Sequence, residues 1–302
     1  MIYDEATNTI AGNLGWVDRG SLWLFDLTGR TETQIAIDDA KYLSLRSGLN
    51  GLFRLVHHQS ADRAVSIRRT AEPRIELASI RFLDGGWHFS GDASLWQLVD
   101  ASVIIQTSAG PKLIWVDAYN ERVAELDLSW FNNTNYDLGY QGLVDCLSLP
   151  AAELVVVAVQ RSSELVTIDP KLNRRVGTIM LAGRGGNPTL NRRSGADFLA
   201  SDYDSLCLVH ARTGEVRCSA PLQASPGSNT QQFIGDYDPD GTNCIVARPF
   251  SGDVVLVDLK TLIVCARAPV AGQPLAVCMT PNAAFVTRDS KTGKVEVGQF
   301  RH

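Results

Sequence analysis

The sequence predicts an all-β protein, and two observations carry the prediction. A short strand phrase returns seven times at intervals of 40 to 52 residues, and strand-like segments rich in Val, Ile and Leu surround each copy. The phrases are LWLFD ending at Asp26, AVSIR at Arg68, LIWVD at Asp117, LVTID at Asp169, LCLVH at His210, VVLVD at Asp258 and KVEVG at Gly298. Such a period with several strands per repeat is typical of a propeller blade. We therefore expect residues 1–302 to form one seven-bladed β-propeller domain of four-stranded antiparallel blades.

The sixth repeat indicates the order of elements within a blade. Its four strand segments are QFIGDY, CIVAR, VVLVDL and LIVCARA, and turns containing Gly, Pro and Asp separate them. Short apolar runs bounded by such residues favour strands. No segment keeps a 3.6-residue apolar period over a dozen positions, so the sequence predicts almost no helix.

These repeats resemble the YVTN-type seven-bladed propellers, an architecture that includes lactonase-like and lyase-like members. The resemblance depends on GQPLAV at 272–277, which enters an inner strand, and on the Gly-Asp-Val-Val-Leu-Val-Asp order ending at Asp258. The WD-repeat signature is absent, because neither a Gly-His nor a Trp-Asp pair occurs. The resemblance implies the fold and assigns no activity or site residue.

Ring closure has two alternatives. The chain ends shortly after the seventh phrase, so the seventh blade needs an outer strand from elsewhere. We expect Met1–Asp4 to supply it, which closes the ring, removes the free edge and leaves a monomer. In the alternative, Ile2–Glu5 is the inner strand of the first blade, and the seventh blade keeps an open edge that pairs with a dimer or complex partner.

Composition excludes some function classes. The net charge of −5 argues against a nucleic-acid surface, which needs a basic stripe. No secretory signal and no apolar run of 18 residues occurs, so we expect a cytoplasmic protein without a membrane partner. Six cysteines without a C-x-x-C pair are expected to be reduced core thiols; the alternative is a disulfide, Cys207–Cys218 or Cys244–Cys265.

Few residues predict a metal or acid–base site. Asp236, Asp238 and Asp240 open a calcium-type loop, but Ala247 occupies the position of its closing Glu, so a turn is favoured and no cofactor is expected. Adjacent His57 and His58 point to opposite sides of a strand and do not share a metal. His210 replaces the Asp that ends four other phrases, which indicates a structural hydrogen-bonding position.

Two long connections have the composition of binding loops. Residues 129–142 combine Trp130, Tyr136 and Tyr140 with asparagines, which favours a recognition loop or, equally, a plug at a blade junction. Residues 182–193 contain Arg184, Asn187, Arg192 and Arg193, of which the arginines can hold a carboxylate or phosphate; solvated arginines are the alternative. In a Gly-rich connection, Trp87 and His88 form a further ligand-binding candidate.

Function is less determined than fold. No contiguous catalytic motif occurs, which favours a scaffold that binds a partner protein or small ligand through inter-blade loops at one face of the central channel. The alternative is an enzyme of lyase, cyclase or lactonase type acting on a small anionic molecule at the channel mouth. There an arginine would clamp the substrate, and His88, Asp145 or Tyr140 would move a proton.

Overall fold

A computed structural model gives the fold, and it describes most of the chain with gaps. The described residues are 2–4, 8–12, 21–36, 43–47, 52–57, 63–69, 75–91, 102–107, 110–117, 122–128, 143–159, 162–182, 188–193, 195–202, 205–222, 233–237, 241–280, 284–289 and 291–300. The chain divides into two compact units, residues 2–148 and 149–302.

The described strands form seven antiparallel sheets, in each of which the strands follow one another in sequence order. In residues 2–148 the first sheet comprises β1 (Ile2–Asp4), β2 (Thr9–Gly12), β3 (Ser21–Asp26) and β4 (Thr31–Ala36). The second comprises β5 (Leu43–Ser47), β6 (Leu52–His57), β7 (Arg63–Arg69), β8 (Ile75–Leu83) and β9 (Gly86–Ser90). The third comprises β10 (Ser102–Thr107), β11 (Gly110–Asp117) and β12 (Arg122–Asp127).

Four more sheets follow along the chain. The fourth comprises β13 (Leu143–Leu149), β14 (Leu154–Val159), β15 (Glu164–Asp169) and β16 (Arg174–Met180). The fifth comprises β17 (Leu190–Arg192), β18 (Asp197–Asp202), β19 (Ser205–His210) and β20 (Val216–Cys218). The sixth comprises β21 (Phe233–Tyr237), β22 (Asn243–Arg248), β23 (Asp253–Asp258) and β24 (Ile263–Pro269). The last comprises β25 (Pro274–Met279), β26 (Ala284–Asp289) and β27 (Val295–Gln299).

The expected scarcity of helix is confirmed for the described residues, whose only helical element is a 3₁₀ turn, Pro150–Ala152. The four strands predicted for the sixth repeat are also confirmed within one or two residues. None of the described helical segments is long and apolar enough to span a membrane.

The expected closure of the last sheet by the N-terminal strand is wrong. Ile2–Asp4 pairs with Thr9–Gly12 and forms the first strand of the first sheet, as the alternative proposed. The last sheet therefore ends, among the described strands, with β27.

The strand β22 is buried on both faces, and its alternate residues enter two different cores. Cys244 and Val246 pack with residues of the fifth sheet, whereas Ile245 and Ala247 pack with residues of the last sheet. Successive side chains of a strand point to opposite faces, so one apolar run serves both cores. The uninterrupted apolar sequence of β22 follows from this burial on both faces.

A recurrent turn follows the strand phrases. The side chains of Asp26, Asp169 and Asp258 each accept the backbone N–H of a residue two or three positions later. In the fifth sheet, His210 Nδ1 accepts the Thr213 N–H at 3.2 Å, which fits the predicted structural position of this histidine. The residue four positions after each of these Asp or His residues has a positive φ: Arg30, Asn173, Gly214 and Leu262.

The expectation of reduced thiols is wrong for one pair of cysteines. Cys207 and Cys218 form a disulfide; they are direct register partners on β19 and β20, with Cα atoms 4.0 Å apart. This cross-strand placement brings the two sulfur atoms together. Cys146, Cys244, Cys265 and Cys278 are not part of a disulfide, and Cys265 is exposed rather than buried.

Candidate functional site

The third strand of the last sheet is the most unusual surface among the described residues. In the fourth, fifth and sixth sheets the third strand lies between two neighbours and is mostly buried. The third strand of the last sheet, β27, pairs with β26 alone and has no fully buried position. Val297, at its centre, is 52% exposed, whereas Leu256, the residue at the same position of β23, is partly buried.

The hydrogen-bonding direction of each residue in β27 follows from the hairpin that precedes it. The Asp289 N–H donates to the Lys294 carbonyl at 2.9 Å, so Lys294 turns its backbone groups toward β26. Backbone direction alternates along an antiparallel strand. Glu296 and Gly298 therefore bond to β26, while Val295, Val297 and Gln299 direct their N–H and C=O groups away from the sheet.

The far end of β27 is fixed by aromatic packing. The Phe285 ring is 1% exposed and lies 5.0 Å from the Phe300 ring, both within the core between the sixth and last sheets. A Cβ atom at position 298 would lie 2.4 Å from Phe285 Cζ. Gly298 is therefore required for this ring to pack against the strand.

The near end of β27 is fixed by two carboxylates. Asp289 Oδ1 accepts the Gln273 N–H at 2.8 Å, and Oδ2 accepts the Thr292 hydroxyl at 2.6 Å and its N–H at 3.0 Å. The Thr292 hydroxyl, followed by the Gln273 N–H, lowers the pKa of Asp289 to about 2. Glu296 Oε2 accepts the Ala271 N–H at 2.9 Å.

The connection that meets these carboxylates needs a glycine. Gly272 has a φ of +96°, and a Cβ there would lie 2.5 Å from Asp289 Oδ1. The edge of β27 is thus held at both ends while its outward backbone groups have no strand beside them in the described structure. An edge in this state can accept an extended segment as a further strand.

The predicted arginine site is only partly described. The Arg193 side chain donates to the Gly241 carbonyl at 3.3 Å and its N–H donates to the Asp197 carbonyl at 3.2 Å, so it supports local structure. Arg192 lies in β17 as the register partner of Phe198. Arg184 and Asn187, together with the side chain of Arg192, lie outside the described residues, so their ligand role stays a prediction.

Trp87 and His88 lie in a strand rather than in the predicted inter-blade connection. They belong to β9, which adds a fifth strand to the second sheet. Trp87 Nε1 donates to Glu125 Oε2 at 2.9 Å, and its ring meets Phe82 edge-on at 5.0 Å. Trp87 therefore joins the second sheet to the third, and His88 is exposed opposite Arg81.

The acid–base candidates are not brought together among the described residues. Asp145 is buried in β13, where its Oδ1 accepts the Cys146 N–H at 2.9 Å. His88 belongs to a different sheet. Tyr140 lies outside the described residues, as do Trp130 and Tyr136 of the predicted recognition loop.

The calcium-type loop also falls largely outside the described structure. Asp236 lies in β21, whereas Asp238 and Asp240 are outside the described residues. Within the described part of the chain, no group of three His, Cys, Asp or Glu side chains is placed to hold a metal. Calcium binding stays a prediction.

Comparison with solved structures identifies the fold. The chain is similar to the β-propeller domain of Myceliophteria thermophila Cps50 (Swd1), with a TM-score of 0.61 and 10% identity over 99% of this chain and 95% of that one. It is also similar to Kuenenia stuttgartiensis hydrazine synthase, with a TM-score of 0.57 and 11% identity over 93% and 89% of the two chains. A chain of the mitotic checkpoint complex gives a TM-score of 0.57 and 9% identity over 98% and 85%.

These similarities show a β-propeller fold. Identities of 9 to 11% carry no statement about activity. No family model matches the sequence, and no curated protein matches it. The YVTN-type resemblance therefore remains an expectation.

The sequence contained one signal for the edge of β27. The alternative assignment of Ile2–Glu5 to the first blade left the edge of the seventh blade open. The residues that fix the edge, Asp289, Glu296 and Phe300, carry no recognisable motif, because they act through contacts between distant segments.

Proposed function

We propose that this protein is a non-catalytic scaffold, a seven-bladed propeller that works as a subunit of a protein assembly. A partner protein adds an extended segment to the outer edge of β27 and supplies the fourth strand of the last sheet. The observation that carries this proposal is the exposure of a third strand whose counterparts in three other sheets are covered.

The chemistry of the edge specifies the partner segment. Val295, Val297 and Gln299 offer outward backbone groups, so the segment pairs through main-chain hydrogen bonds over about five residues. The exposed Val297 favours an apolar or β-branched residue directly opposite. The exposed Lys291 and Lys294 in the preceding hairpin favour an acidic residue at the adjoining end of the segment.

The neighbours give limited support to a role in assemblies. One structural neighbour is named as a chain of the mitotic checkpoint complex, a complex by its printed name. The aromatic loop at 129–142 and the arginine-containing loop at 182–193 remain proposed as further contacts, at one face of the propeller.

The test uses peptides selected from a displayed ten-residue library on the intact chain. We expect selected peptides to alternate apolar and polar residues and to bind Val297→Thr as they bind the natural chain. Val297→Pro removes one outward N–H and leaves the bonds to β26 in place, so it should weaken binding at least tenfold. Amide hydrogen exchange at Val295, Val297 and Gln299 should slow when the peptide is bound.

Peptide binding that Val297→Pro leaves unchanged would contradict the edge as the docking site. Val297→Asp provides a second variant that keeps every backbone donor, and its charge opposes an apolar partner residue. Equal melting temperatures for the three variants establish that any loss of binding arises at the edge.

A further inference from the structure

A pocket of about 290 Å³ lies between the fifth and sixth sheets. One wall follows β20 and includes Cys218 and Leu222, and the other follows the turn before β24 and the strand itself. The disulfide from Cys218 to Cys207 fastens the first wall to β19. The pocket is separate from the outer edge of β27.

The charged side chains that line the pocket are Arg248 and Arg267, and both are paired with Asp253, which does not line it. Arg248 is 4% exposed; its Nε donates to Asp253 Oδ1 at 2.8 Å, its Nη2 donates to Asp253 Oδ2, and its Nη1 donates to the Leu222 carbonyl. Arg267 Nε lies 3.4 Å from Asp253 Oδ2. Two cations thus share one anion, and this group of three side chains has a net charge of plus one.

The two arginines differ in what they can offer a ligand. Arg248 donates its Nε and Nη2 hydrogen bonds to Asp253 and its Nη1 hydrogen bond to the Leu222 carbonyl, so it stabilises the pocket. Arg267 is 59% exposed and meets Asp253 through Nε, which leaves its two terminal amino groups for another acceptor. A guanidinium presents such donors as a planar fork that matches a carboxylate.

The remainder of the pocket is apolar. Leu222 and Leu262 are 5% and 7% exposed and close the inner side, while Ile263 is 64% exposed at the outer side. Val264 continues this surface. A fixed cationic group beside aliphatic side chains is the usual composition of a small-molecule site.

We propose that this pocket binds a small monoanionic molecule that carries one carboxylate on an apolar body. Arg267 binds the carboxylate, Arg248 and Asp253 hold the floor, and the side chains of Leu262 and Ile263 contact the apolar body. A single negative charge matches the net charge of the site, whereas a phosphate dianion exceeds it. The volume limits the ligand to a small one.

The test titrates the intact chain with benzoate as the probe and with benzamide as its neutral counterpart, followed by NMR. We expect benzoate to bind at least tenfold more tightly than benzamide, with shifted signals confined to the pocket residues. Arg267→Gln should weaken benzoate binding at least tenfold. The matched control is Arg175→Gln on β16, an exposed outer-strand arginine in an exposed ion pair with Glu164, which should change the affinity less than twofold.

The apolar half is tested separately with another matched pair. Ile263→Ser should weaken benzoate binding severalfold, whereas Val176→Ser, an exposed residue of β16, should leave it unchanged. Equal affinity for benzoate and benzamide, or benzoate binding that Arg267→Gln leaves intact, overturns the proposal. Inorganic phosphate binding more tightly than benzoate also overturns it, because a site for a simple anion needs no apolar wall.

Discussion

The sixth and last sheets contain equivalent third strands in very different surroundings. In the sixth sheet, β23 lies between β22 and β24, and Leu256, the counterpart of Val297, is partly buried. In the last sheet, β27 has a neighbour on one side, and Val297 is half exposed. A fourth strand beside β23 pairs with its outward backbone groups, whereas no strand lies on that side of β27 among the described residues.

The largest expected effect tests whether the last sheet is as firmly packed as the sixth. Phe285→Ala removes a ring that is 1% exposed and should lower the free energy of unfolding by about 3–5 kcal/mol. Chemical denaturation monitored by circular dichroism measures the change. Val297→Ala is the control at the exposed strand and should cost less than about 0.5 kcal/mol. Equal costs for both variants would contradict the asymmetry between the core and the edge.

The next effect concerns the carboxylate that fixes the last hairpin. Asp289→Ala removes the acceptor of Gln273 and Thr292 and should destabilise the chain by about 1–3 kcal/mol. Asp289→Asn retains an oxygen acceptor and should cost less. Asp258→Ala, at the sixth-sheet turn, should also cost less, since its carboxylate accepts from Thr261 within its own turn and ties no second connection to the hairpin. A greater loss from Asp258→Ala would show that the last hairpin does not depend on its network.

Acid should weaken the same hairpin. Hydrogen bonds to the carboxylate lower the pKa of Asp289 from 3.8 to about 2, so the ionised form stabilises the folded state. This contribution is fully present above about pH 4 and is lost as the pH falls through the folded pKa. Comparing the stability of the natural chain with that of Asp289→Asn between pH 6 and pH 2 measures it. The difference between the two proteins should shrink with acidification, and a constant difference would refute the linkage.

Proline substitution distinguishes the two sides of β27. Glu296→Pro removes an N–H that bonds to β26 and also the carboxylate that accepts the Ala271 N–H, so it is compared with Glu296→Ala. The proline should cost about 1–3 kcal/mol more than the alanine, because a buried acceptor loses its donor. Val297→Pro removes an outward N–H and should cost much less. Thermal unfolding of the three variants measures the contrast. A reversed order would show that the alternation of backbone direction along β27 is assigned to the wrong residues.

Local structure was predictable where it depends on local pattern. The four strands of the sixth repeat follow from apolar runs between Gly, Pro and Asp residues, and the structural position of His210 follows from its alignment with Asp26, Asp169 and Asp258. Both inferences use information within one repeat. Burial of β22 on two faces explains why its run is continuously apolar rather than alternating.

Pairing between segments was less predictable. Cys207 and Cys218 are register partners, a fact that depends on the hairpin register and not on the eleven-residue spacing. The sequence predicts a connection at GWHFS because neighbouring glycines suggest a turn, yet this segment pairs with β8 as an additional strand. The site at β27 is defined by the lack of a neighbouring strand among the described residues, and such a lack leaves no mark in the strand's own sequence.

The smallest expected effect is that of a substitution at Gly293, in the turn before β27, and it is compared with a substitution at Leu262, in the turn after β23. Gly293 has a φ of +68°, and a Cβ there would lie 3.3 Å from Arg288 Nη2, so Gly293→Ala should destabilise the chain by about 1 kcal/mol. In the sixth sheet, Leu262 adopts the same left-handed conformation, with a φ of +58°, and its side chain is 7% exposed. Leu262→Gly relieves the backbone but empties part of the core, so it should be destabilising despite the more permissive residue. Chemical denaturation of both variants decides the point: stabilisation by Leu262→Gly would mean that backbone strain outweighs apolar burial at this turn.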